Sequence, residues 1–222
     1  MEIIALLVSV LVGVALVLVL KPGKNIVSLL LTFSGAYLLS ITILKLFPEI
    51  YEHGGDSIGV FVILGLIFQL ILDFFSKGAD HGHLHTLDSD NIPWALFISL
   101  LIHAFIEGLP LSGHDHHDLL WAIVIHKVPI AMVLASLLVY FNSKKVYAIV
   151  FLSIFALMTP LGTILGSTIP LLITYHVEIN AIVAGVFLHI ATIILFESSK
   201  DHKFNLYKFS ALIIGVGLAL VM

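Results

Sequence analysis

The chain has 222 residues, a formal net charge of −4, and 60% hydrophobic against only 11% charged residues, with a mean hydropathy of +1.15. A soluble domain carries about 25% charged residues, so this composition excludes a soluble enzyme and implies an all-α polytopic membrane protein. The lack of cysteine removes disulfides and thiolate ligands, no basic block serves nucleic acid, and no nucleotide-binding loop is present.

Eight apolar runs follow in order: residues 3–20, 26–47, 58–75, 93–113, 119–141, 146–168, 179–197 and 204–222. Each approaches the roughly 20 residues that a helix needs to cross the bilayer core. Lys208 interrupts the last run near its end, where lysine snorkels. The first run is expected to be a span rather than a cleaved leader. Glu2 precedes it, and Lys21-Pro22-Gly23-Lys24 follows without a small-residue cleavage site.

Lysines set the expected orientation. Lys21, Lys24, Lys77, Lys144, Lys145, Lys200 and Lys203 all follow spans one, three, five or seven. The positive-inside rule then places both termini outside a cell (inner) membrane. Trp94 and Trp121 sit at span ends, where indole favours the interface. The connection 76–92 is expected on the cytoplasmic side and holds His81, His83 and His85. It reads equally as a solvated linker or as a loose metal-capturing loop.

The chemistry concentrates in the fourth and fifth runs. His103 and Glu107 stand one helical turn apart and share a face. The next run carries His126, Lys127 and Pro129, and the short link between the runs holds His114, Asp115, His116 and His117. If span four exits near Gly113, His103 lies about 15 Å deep at 1.5 Å per residue; if span five enters near Asp118, His126 lies about 12 Å deep. A short link makes the two helices antiparallel neighbours, so the three side chains meet at one level.

An imidazole or carboxylate in hydrocarbon is expensive unless paired or ligated. Two imidazoles and one carboxylate suit Zn²⁺, Fe²⁺, Co²⁺ or Mn²⁺ better than Mg²⁺ or Ca²⁺. The alternative is a His–Glu hydrogen bond that joins helices. Pro129 and Pro110 free the carbonyls of Ile125 and Ile106 beside these residues. His189 is also deep, and by depth alone it reads either as a further ligand or as a buried histidine donating to a neighbouring helix.

His103-Ala-Phe-Ile-Glu107-Gly108 followed by His126-Lys-Val-Pro129 resembles the ZIP (Zrt/Irt-like) family of divalent metal transporters. Lys45-Leu-Phe-Pro48-Glu49, Thr159-Pro160-Leu161-Gly162 with Gly166, and Ala184-Gly185-Val-Phe-Leu188 resemble further family patterns. The resemblance implies a ZIP-like bundle of eight spans, in which spans one, four, five and six carry metal and move against two, three, seven and eight. It carries over His103, Glu107 and His126 as the transport site.

This sequence departs from the family at several positions. The usual fourth ligand of the first site falls at Ile130. The positions of a neighbouring second site fall at Ala104 and Lys127, and a helix-six acid at Thr159. Lys45 replaces a helix-two histidine. The resemblance therefore implies one metal held by three side chains. Lys127, about 14 Å deep, would supply the charge of the missing second cation.

The expected function is import of a divalent metal, with Zn²⁺ first and Fe²⁺, Mn²⁺ or Cd²⁺ as alternatives. Metal would enter past His114, Asp115, His116 and His117 and leave toward the cytoplasmic loop. The expected partners are the metal ion, the bilayer and a second copy of the chain, with no resident cofactor. Two rival classes remain: an intramembrane metallohydrolase, which needs an unligated general base at the site, and a metal-binding or sensing protein without flux.

Overall fold

The computed structural model describes residues 1–76, 94–113, 117–140, 145–197 and 205–221. These are almost entirely helical, and no strand occurs among them. In lipid no water pairs with backbone amides, so an apolar run satisfies its N–H and C=O groups only by coiling. The helices are α1 (Glu2–Leu20), α2 (Lys24–Gly54), α3 (Ile58–Ser76), α4 (Trp94–Gly108), α5 (His117–Tyr140), α6 (Lys145–Thr168), α7 (His176–Glu197) and α8 (Leu206–Val221). A five-residue helix, Pro170–Thr174, joins α6 to α7.

Seven of these are long and apolar enough to cross a membrane, and α8 is a shorter apolar helix. The chain is an all-α multi-pass membrane protein. Many apolar side chains point outward, such as Leu11, Leu18, Val60, Ile63, Leu70 and Phe74. In a bilayer these are the lipid-facing surface.

Two helices depart from regular α geometry, each beside a proline. In α2 the ladder widens into a π turn at Thr42–Leu46, where Phe47 N–H reaches back to Thr42 O. Pro48 follows and has no N–H for the Leu44 carbonyl. At the end of α4 the chain tightens into a 3-10 turn, Leu109–Ser112, around Pro110. The fourth apolar run is thus one span with a change of pitch just beyond Glu107.

The helices form two groups. In one, α1 packs along α5 and α4 along α6; in the other, α3 packs along α7 and α2 along α8. The groups meet where α2 lies on α5 and α3 lies on α4. Within the first group α6 links the two pairs by touching α1 and α5, while α2 ties the second group to α5. The α4–α6 contact is close because glycine lies on both sides. A methyl at Gly108 would overlap the Thr159 carbonyl, and one at Gly162 would overlap that of Phe105. That approach brings Thr159 against α4 at Ala104.

Candidate metal centre

His103 and Glu107 project from one face of α4, and His103 Nε2–H donates to Glu107 Oε1 at 3.0 Å. His126 projects from α5 toward them; the two imidazole rings stand edge-on, 6.4 Å between centroids. Each of the three residues offers one ligand-type atom, and these atoms lie within 4.8 Å of one another. All three side chains are buried. Among the described residues this is the one place where three His, Cys, Asp or Glu groups converge so closely.

The cluster is electrically composed as well as convergent. Lys127 is fully buried at 0% exposure, and its Nζ donates to Glu107 Oε2 at 3.1 Å. It also donates to Thr159 Oγ1 and lies 4.6 Å over the Phe155 ring. Thr159 passes its own proton to the Ala104 carbonyl at 2.7 Å. Glu107 is therefore shared: one oxygen faces an imidazole and the other an ammonium. A lone carboxylate here would carry an uncompensated charge in low dielectric, which costs several kcal/mol. Lys127 compensates that charge, at the cost of desolvating its own ammonium.

His103 Nδ1 is buried with no hydrogen-bond partner among the described residues. An orphaned buried polar atom costs about 1–3 kcal/mol, which a water or ligand bonded to it would relieve. His126 Nδ1 lies 3.3 Å from Ser34 Oγ on α2. A cleft of about 330 Å³ starts at Pro110, one turn beyond Glu107, and is also lined by Ser112, Gly113, Gly166 and His176.

Other residues singled out in the sequence lie elsewhere. Ala104 is buried under Thr159, and Ile130 belongs to the apolar core. Lys45 sits in the π turn of α2, half exposed, and pairs with Asp118 at 3.1 Å. His117 opens α5; its Nε2 accepts from Trp121 Nε1–H at 3.0 Å. His114, Asp115 and His116 lie outside the described residues, as do His81, His83 and His85. His189 Nε2–H donates to Asp73 Oδ2 of α3 at 2.6 Å, the neighbouring-helix bond of its second reading.

Four further residues take part in these networks. Asp73 and Gln69 stood one turn apart in the third apolar run, and that spacing was signal enough. Thr159 was noted only as the place of a missing acid. Ser34 carried no signal, since a small hydroxyl in a span usually bonds its own helix.

Residues 76–222 match the family described as the ZIP zinc transporters. The chain belongs to the ZIP family. The relatives include Protein zntD of Dictyostelium discoideum, 29% identical over 178 residues, which is 65% of this chain and 25% of that protein. Uncharacterized protein MJ1036 of Methanocaldococcus jannaschii is 28% identical over 182 residues, 77% of this chain and 73% of that protein. The matched stretch thus spans only about a quarter of zntD but most of MJ1036. ZIP membership sets the hydrolase alternative aside, because this is a family of transporters and not of enzymes.

Proposed function

We propose that this ZIP chain carries one divalent transition-metal ion at a time, held between His103, Glu107 and His126, into the cytoplasm. The observation that carries this reading is the buried convergence of those three side chains from α4 and α5. Two imidazole nitrogens and a carboxylate oxygen with water in a fourth position suit tetrahedral Zn²⁺ well, and Fe²⁺, Mn²⁺ or Cd²⁺ are the other candidates. Mg²⁺ and Ca²⁺ seek oxygen shells that this set does not offer.

In this reading Lys127 stands where a second metal would sit in a two-metal member. Its ammonium keeps Glu107 ionised and excludes another cation, at some cost to affinity through charge repulsion. Metal would arrive through the cleft at Pro110 and Gly113, past the histidines of residues 114–117. It would leave by alternating access as the α1, α4, α5, α6 group slides on the other four helices. Both termini would lie outside the cell (inner) membrane, with the 76–92 loop and its histidines inside. Dimerisation would occur through the lipid-facing helices.

The test is uptake of Zn²⁺, Fe²⁺, Mn²⁺ and Cd²⁺ into sealed vesicles that hold the purified chain. Saturable uptake of Zn²⁺, lost in the His103→Ala/His126→Ala double variant, is expected. Binding without flux would place the protein among sensors or passive binders. Flux unchanged in the double variant would overturn the site.

A further inference from the structure

One ligand histidine is held from across the seam between the helix groups. His126 belongs to α5, yet its Nδ1 meets Ser34 Oγ of α2 at 3.3 Å. Both residues are at 0% exposure. Ser34 Oγ also lies 3.2 Å from the Leu31 carbonyl of its own helix.

Proton counting ties the direction of this bond to the other contact of the hydroxyl. The serine hydroxyl has one proton, and the Leu31 carbonyl can only accept. A hydroxyl that donates to Leu31 O presents its lone pairs to His126 and accepts from Nδ1–H. That bond selects the tautomer with the proton on Nδ1 and the lone pair on Nε2. A lone-pair nitrogen with its partner N–H tied down is the form in which imidazole binds a metal.

We infer that Ser34 is a positioning residue that fixes the metal-binding tautomer of His126 from the opposite helix group. The inference rests on the proposed metal centre and goes beyond it. Affinity becomes a property of how α5 is docked on α2. Displacement of α5 by even one helical turn, about 5.4 Å, removes the bond. Loss of such an outer partner lowers metal affinity about 10–100-fold. The centre then binds tightly in the docked arrangement and loosely after sliding, which is the difference in affinity that a release step requires.

Ser34→Ala deletes one oxygen and leaves the helix otherwise intact. The probes are Zn²⁺ affinity of the full chain in detergent, measured against a chromophoric chelator, and nitrogen NMR of ¹⁵N-histidine-labelled protein without metal. The His126 signals are identified by their loss in His126→Gln. In the parent, His126 is expected as the Nδ1–H tautomer. In Ser34→Ala the Zn²⁺ Kd should rise about tenfold and the His126 signals should move toward a mixture of tautomers. Uptake should show a raised half-saturating concentration with a maximum rate near that of the parent. Ser34→Cys, close in size but a weak acceptor, should fall between the two.

A serine that only fills space would lower the melting temperature and leave Kd and ring-nitrogen signals unchanged. That result overturns the inference while the metal centre stands. If the parent binds no Zn²⁺, or binds it equally well after His126→Ala, the metal centre itself falls and the inference with it.

Discussion

Among the described residues two buried sets of ionisable groups stand out, and they differ in kind. Between α4, α5 and α6, one carboxylate is divided between an imidazole and an ammonium, and a second imidazole stands within ligand range. Between α3 and α7, His189 donates to one oxygen of Asp73 at 2.6 Å, and Gln69 donates to the other at 2.9 Å. The second set engages both carboxylate oxygens within its own helix pair. In the first, one ligand-type atom from each of three residues converges within 4.8 Å of the others. Burial of a histidine and an acid therefore does not by itself mark a site; the mark is a third ligand converging from a second helix.

The largest effect that would break this contrast is on transport. His103→Ala with His126→Ala should abolish Zn²⁺ uptake in vesicles while the protein remains folded by circular dichroism. His189→Gln should leave uptake within about threefold of the parent, yet lower stability by about 3–5 kcal/mol, the cost of breaking a buried pair. Thermal unfolding in detergent measures the second quantity. Loss of transport in His189→Gln with unchanged stability would move the α3–α7 pair from scaffold to pathway.

A second effect falls on metal count. Lys127→Glu with Ala104→Asn replaces the ammonium by an acid and adds an amide one position after His103. Bound Zn²⁺, by elemental analysis of purified protein, should rise from one toward two per chain. A count that stays at one would show that Lys127 does not occupy a cation position. Lys127→Met alone should destabilise the metal-free protein by about 3–5 kcal/mol. Added Zn²⁺ should restore part of that loss, because the metal then faces Glu107 in place of the ammonium.

Smaller effects are expected from the outer end. Replacement of His114, His116 and His117 by serine should raise the half-saturating Zn²⁺ concentration a few-fold and leave the maximum rate nearly unchanged. These residues would concentrate metal and not hold it. Lys45→Ala should be nearly silent in stability, within about 1 kcal/mol, since its pair with Asp118 is half exposed.

Much of the convergence at the candidate centre was legible from spacing. His103 and Glu107 at one turn, and His126 at matching depth on the next helix, follow from helix rise and a short link. Asp73 with Gln69 was equally legible and was passed over. The partner of His189 was not, because 116 positions separate it from Asp73 in the chain. The depth argument likewise could not say whether Lys127 turns toward Glu107 or snorkels out.

The residue order determined that the chain is a multi-pass membrane protein and which three ionisable groups come together. These follow from hydrophobic run length and the helical repeat, both local properties. Which faces meet depends on close approach of helices distant in sequence. Gly108 against the Thr159 carbonyl and Gly162 against that of Phe105 let α6 approach α4. That contact places Thr159 where its hydroxyl receives Lys127 and gives to Ala104. The rotation of α5 then points His126 at the centre and lays its other nitrogen on Ser34. Packing decided these matters, because a helix repeats its pattern without stating which face a neighbour will cover.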